Sequence, residues 1–464
     1  MTPRPHRITA LLFIAFASTA FGAGAAQGQD ETSWPGLQGG AAHVGVFSDP
    51  RLRPPLRVLW RSSSPGDGRL SSVVLDGSVG FATAPNAVVR FRVGTGAIEW
   101  RLPRTPGPLI PPVIDPAAGR EGLVVFTEGS TQRDAAVKAV DVGSRRTRWT
   151  AKVGPVGLGG PTAADGRVFV GTTRQSVIGI DGGTGDLLWT VRTDGPVNTA
   201  PAVADDRVFA VSENRQNGRV TLYALRAGGC GSPSCRPLWT FSPPGIAVGT
   251  SAPTVTRSTV YVAFGDASVR ALDASTGRVR WTGSVRRLFS PRTTPAITGN
   301  ELYVVDGIGG VFRFDATSGR RIWDYQFAAT VTSGAPLVVP GRPSIVYVGL
   351  DDGTVAAIQG DTGHLRWRTR AGSAPVAGFA AATTDTDALL LAPVVGRRGG
   401  LYSFVHDPRG TLIDEESPTT LDLGRALLNF AAASVALMAL LFVFFRLLPL
   451  RQQPGPEPPT TVTP

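Results

Sequence analysis

Short stretches in which apolar and polar residues alternate recur along the chain, as in Arg167-Val168-Phe169-Val170-Gly171 and Thr259-Val260-Tyr261-Val262-Ala263. Period-two alternation over about five residues predicts a β-strand with one buried face. These stretches keep a fixed phase with tryptophan. Residues 137–149 (VKAVDVGSRRTRW), 177–189 (VIGIDGGTGDLLW), 269–281 (VRALDASTGRVRW), 311–323 (VFRFDATSGRRIW) and 355–367 (VAAIQGDTGHLRW) are variants of one unit, and residues 89–100 belong with them. Residues 222–239 do too, with a turn enlarged by the insertion 228–235. Successive tryptophans at Trp60, Trp100, Trp149, Trp189, Trp239, Trp281, Trp323 and Trp367 lie 40, 49, 40, 50, 42, 42 and 44 residues apart, the period of a four-stranded propeller blade.

A proline keeps the same phase, at Pro112, Pro161, Pro201, Pro253, Pro295, Pro336 and Pro375, each opening an apolar stretch. Proline suits the start of an inner strand, where its missing N–H is not needed by the ladder. Each unit therefore reads as strand A after the proline, B at the alternating run, C before the turn and D at the tryptophan. In the turn between C and D, Asp273-Ala274-Ser275-Thr276-Gly277 offers a carboxylate for turn amides and a glycine for the left-handed position. Asp181, Asp273 and Asp315, repeated at one turn, read as structural residues and not as a catalytic carboxylate set. The tryptophans read as packing between adjacent blades, where each ring buries ~150–250 Å².

The count of D strands is eight, and so is that of A, B and C if residues 374–407, after the last repeat tryptophan, supply the final three. The ring then closes by pairing residues 401–405 with residues 56–60, which leaves no open edge between first and last blade. In the alternative, Thr411-Leu412-Ile413 forms its own outer strand and Trp60 sits in a separate flap. The predicted fold is all-β: an eight-bladed propeller of four-stranded antiparallel blades, followed by one C-terminal transmembrane helix.

The two ends add a membrane context. Arg4, His6 and Arg7 precede an apolar run at residues 8–21 and the small residues 22–26, the layout of a secretory signal peptide cleaved near Ala23 to Ala26, an uncleaved anchor helix being the alternative. Residues 426–445 form an uncharged run of 20 residues, long enough to cross ~30 Å of hydrocarbon. The expected organisation is a signal peptide at 1–26, a lead-in segment at 27–55, the propeller at 56–410, a linker at 411–424, a transmembrane helix at 425–448 and a Pro-rich cytoplasmic tail at 449–464. The propeller is expected outside the cytoplasm, tethered to the cell membrane by a single pass, and monomeric.

Composition sharpens this only slightly. With 57 glycines, 38 prolines and 42% hydrophobic residues the chain is globular and rich in tight turns. The net charge of +11 comes from arginine spread over the whole length, without a dense basic patch, so no nucleic-acid partner is expected.

The repeat resembles the PQQ-like, or quinoprotein-type, propeller repeat, in which apolar-Ala-Leu-Asp is followed by Thr-Gly and then Trp, most fully at residues 269–281. Trp34-Pro35-Gly36-Leu37-Gln38-Gly39-Gly40 is similar to the segment that begins many such propellers. Two branches carry different implications. Quinoprotein dehydrogenases hold pyrroloquinoline quinone and calcium over the central channel, beside a disulfide between adjacent cysteines. This chain has no adjacent cysteines, and Cys230 and Cys235, five apart, are expected to staple their own loop. BamB-type assembly proteins are non-catalytic and contact a partner through loops on one face. The second branch fits better, so no cofactor is expected, with pyrroloquinoline quinone and calcium reserved for the alternative of a quinoprotein oxidoreductase. A sensor ectodomain is a third reading.

No catalytic constellation stands out: His43, His364 and His406 are scattered, and the metal-ligand and phosphate-loop spacings are missing. The candidates lie on the face shared by the D-to-A and B-to-C loops. Blades two and four have enlarged B-to-C loops, which carry Glu128 and Arg133, and Glu213, Asn214 and Arg215. With Arg174 in blade three and Arg286 and Arg287 after blade five, these form the candidate binding face, for an envelope protein or polymer.

Overall fold

Each tryptophan-ended unit folds as an antiparallel meander of four strands, and eight such sheets make the propeller. The computed structural model describes residues 33–63, 69–115, 122–129, 134–245, 247–285, 294–331, 334–396 and 399–413. The signal segment, the apolar run 426–445 and the tail lie outside the described residues. Among the described residues no helix is long and apolar enough to cross a membrane.

Blade five shows the design. Thr254–Val255, Thr259–Phe264, Ser268–Asp273 and Val279–Ser284 are its strands A to D. Every residue of strand B is buried, because neighbouring blades cover both its faces. A bulge between Ala271 and Leu272 in the register with strand D seats Trp281 between blades. The phase-keeping prolines stand one residue before strand A, as Pro201 does before Ala202–Ala204. Blade eight departs from this. Val376, after Pro375, bridges to Val394, and its inner strand begins only at Ala380–Thr383.

The ring closes through the N-terminal strand, the first of the two arrangements the sequence left open. Leu56–Ser63 pairs with Gly400–His406 as the outer strand of blade eight, with Trp60 opposite Ser403. The flap alternative is overturned, because the edge of Gly400–His406 is already taken when the chain reaches Thr411. Ile413 instead donates its N–H to the Arg366 carbonyl on the outer strand of blade seven, 2.9 Å away.

One lock repeats between blades. The Trp281 indole N–H donates to the Ala316 carbonyl in the C-to-D turn of blade six at 2.8 Å, and Trp149, Trp189, Trp239 and Trp323 do likewise to the turn that follows each of them. The turn glycine sits on the ring. A Cβ on Gly277 would lie 2.6 Å from the Trp239 ring, and its φ of +72° is left-handed, so the position requires glycine twice over. The turn aspartate is turn chemistry as expected, Asp273 accepting from the amides of Ser275 and Thr276 at 3.0 and 2.9 Å.

Blade two breaks the lock. Arg145 stands at the left-handed position with φ +60°, and the buried Trp100 indole N–H that faces this turn has no partner among the described residues.

Candidate functional site

The lead-in segment, read from the sequence only as an approach to the ring, is built into the axis. Ser33–Trp34 pairs with Val74–Asp76, making blade one five-stranded. From there the segment visits the inner strands in ring order. The Pro35 carbonyl accepts from Ile114 in blade two, Ala41 from Val203 in blade four, Ala42 from Val255 in blade five, Val44 from Ile297 in blade six and Gly45 from Val338 in blade seven, all at 2.8–2.9 Å. Asp49 then accepts from the Thr383 hydroxyl of blade eight at 2.9 Å. Inner strands present unpaired N–H groups toward the channel, and this one segment satisfies them in turn.

Two side chains lock the segment. Gln38, buried, donates its amide to the carbonyls of Thr294 and Pro336, joining blades six and seven. His43, 1% exposed, sits with Nδ1 3.0 Å from the Pro253 carbonyl. A carbonyl can only accept, so Nδ1 carries the proton and Nε2 is bare. Burial lowers the His43 pKa to about 4 against the opposing hydrogen bond, so the ring is neutral at pH 7. The cavities beside the segment are about 20 and 10 Å³, room for a water apiece at most. The channel through the propeller is thus filled by the chain itself.

On the loop face, the structure separates the predicted residues into fastened and free. The Glu213 carboxylate is buried and accepts from the amides of Gly249 and Thr250 and from the Thr250 hydroxyl, so it ties the end of strand B in blade four to the loop leading into blade five. Asn214 donates to the Asp194 carbonyl. Glu128 pairs with Lys138 at 3.3 Å. Arg174 and Arg215 are exposed, Arg215 lying 3.8 Å from Glu213. Arg133, Arg286 and Arg287 lie outside the described residues.

Nothing in the local sequence pattern marks Asp194, around which this face is organised between blades three and four. It accepts from the hydroxyls of Ser212, Thr221 and Tyr223 at 2.5, 2.6 and 2.8 Å and faces Arg219 at 3.4 Å. Burial opposes its ionisation, yet the three hydroxyls and Arg219 hold its carboxyl below the usual range. Burial in turn pushes the Tyr223 phenol up. The result is a fastened polar cluster beside the exposed Arg215, while Arg174 lies toward Gly154 in the loop after blade two. Among the described residues no group of histidines, cysteines or carboxylates could hold a metal.

Cys230 and Cys235 form the expected disulfide. Its loop does more than close on itself. Thr190 N–H donates to Pro233 and Cys235 N–H to Thr190, so the stapled loop of blade four covers part of the outer edge of blade three.

Comparison with known proteins agrees with this architecture. A curated relative, the outer membrane protein assembly factor BamB of Bordetella pertussis, is 27% identical over 200 residues, covering 39% of this chain and 47% of that protein, so the chain spans about half the length of the relative it matches. Among solved structures, BamB from Moraxella catarrhalis superposes with a TM-score of 0.55 at 17% identity, over 75% of this chain and 99% of that one. A europium-containing methanol dehydrogenase gives 0.66 at 13% identity, over 81% and 98%. Identities this low speak for the fold alone. The family model described as outer membrane protein assembly factor BamB matches residues 133–228 and 216–398, more than half of the chain, and the chain belongs to that family of PQQ-like repeat propellers.

Proposed function

We propose that this protein is a binding or scaffold propeller held outside the cytoplasm by its C-terminal apolar run, and that it contacts another envelope protein or polymer through the loop face of blades two to four. The observation that carries this reading is the filled axis. The dehydrogenase reading places a quinone over the central channel, and here the channel itself is threaded by residues 34–49, bonded to seven of the eight blades. A rigid scaffold with exposed arginines and a fastened polar cluster suits recognition of a partner surface. The assembly role for which its relatives are named supports a protein partner and an envelope location.

Photo-crosslinking in intact cells tests this reading. A crosslinking residue at Arg174 or Arg215 is expected to give a discrete adduct absent when the same residue replaces Arg278 on the opposite face. Adducts of equal yield from both faces, or from neither, overturn it. Adding pyrroloquinoline quinone and calcium to the purified protein is expected to give neither bound-cofactor absorbance nor dye reduction.

A further inference from the structure

The end of the propeller opposite the loop face has a chemistry of its own. Nine large hydrophobic side chains among the described residues are exposed: Val58, Leu59, Leu158, Leu187, Leu188, Leu238, Val279, Ile322 and Leu412. Only Leu158 is on the loop face. Seven of the others occupy the one or two positions before a repeat tryptophan: Leu187, Leu188, Leu238, Val279 and Ile322 where the outer strand leaves its C-to-D turn, and Val58 and Leu59 at the start of the N-terminal closing strand, with Leu412 on the exit segment beside them. They form a collar around the turn-face end of the rim.

Arginines interleave with this collar. Arg57, Arg145, Arg146, Arg278, Arg320 and Arg409 are exposed and have no ion-pair partner among the described residues. The C-to-D turns also carry carboxylates, Asp141, Asp181, Asp273 and Asp315, which the turn amides hold in the ionised form, and Asp186 and Asp361, so the arginine charge at this end is offset in part. Further aspartates at this end, Asp165, Asp205 and Asp206, lie on A-to-B turns, closer to the axis. The collar thus mixes exposed apolar side chains with arginines that have no ion-pair partner among the described residues. Such a mixture suits the interface of an anionic bilayer, where apolar side chains enter the headgroup boundary and arginines near the surface are drawn to the anionic headgroups.

The chain leaves the propeller at this same end. Gly400–His406 runs toward the turn face, and Ile413 is held against Arg366, the second residue of the outer strand Leu365–Arg370. Between Ile413 and the apolar run at residue 426 stand residues 414–425, which reach ~40 Å at full extension.

We infer that the turn face and its collar rest on the anionic surface of the bilayer that holds the C-terminal run, leaving the loop face turned toward the partner. This rests on the membrane-tethered reading above.

The test uses the full chain in nanodiscs, with a fluorophore on Val279→Cys or Leu412→Cys at the collar and on Arg174→Cys at the loop face, the native cysteines being oxidised. Nickel-chelating headgroups in phosphatidylglycerol discs are expected to quench the collar labels severalfold more than the loop-face label. Replacing phosphatidylglycerol by phosphatidylcholine, or combining Arg278→Glu with Arg320→Glu, should reduce that contrast. Equal quenching at all three positions, or a contrast indifferent to lipid charge, overturns this inference while leaving the tether intact. If the chain is not retained by discs or is released from membranes by alkaline carbonate, the tethered reading falls and the inference with it.

Discussion

The rim and the axis hold the same ring together by opposite means. At the rim one device is used again and again: a tryptophan from one blade, seated on a turn glycine of the next and bonded to its carbonyl. At the axis the bond to an inner strand also recurs, but one continuous segment makes all of these bonds. A single segment crosses from blade to blade, and Gln38 and His43 each occur once. A repeated lock tolerates the loss of one copy, because each joins only two neighbours. The axial segment joins nearly all the blades at once, so its loss is felt by the whole ring.

The comparison breaks most visibly if residues 33–49 are removed. That strips Trp34 and Phe47 from the core and uncovers the inner strands, and a loss above about 5 kcal/mol is expected, comparable to the whole stability of many domains. Loss of a cooperative urea transition checks it, and an unchanged midpoint would show that the segment is only ornament. At the rim, Gly277→Ala should cost about 3 kcal/mol, combining left-handed strain with a clash against Trp239. The urea midpoint should fall while the transition stays single.

Acid separates the two regions. His43 is neutral in the folded ring, with a pKa lowered to about 4, and titrates near 6.5 once unfolded. Its contribution is complete above pH 6.5 and is lost as pH falls toward 4, because the unfolded chain takes up the proton first. The loss approaches about 3 kcal/mol. His43→Asn should flatten the pH dependence of stability across that window, whereas Gly277→Ala should leave its shape unchanged. Reducing Cys230–Cys235 frees a loop of few residues and should cost about 2 kcal/mol, read as a fall in thermal midpoint under reductant. The smallest effect has the opposite sign. Arg145→Gly relieves a left-handed arginine at the one imperfect turn and should stabilise the ring by about 1 kcal/mol, which the urea midpoint would register.

Of the candidate face, the sequence located the loops but not the division of labour within them. Glu213 and Arg215 differ by two positions and look equally available, yet one carboxylate is buried against Gly249 and Thr250 and the other side chain stands in solvent. That distinction depends on a loop about 36 residues away. Asp194 was invisible for the same reason, since its hydroxyl partners come from two strands of the next blade.

The sequence by itself determined the number of blades, the strand order within them and the short disulfide, and left two ways for the ring to close. Each is written in a local pattern, an alternation, a turn or a spacing, and repetition makes local patterns legible. Tertiary structure alone decided that residues 34–49 fill the channel and that the chain exits at the turn face beside blade seven. Those choices are set by free N–H groups on strands far apart in sequence, which come together only when the ring has closed.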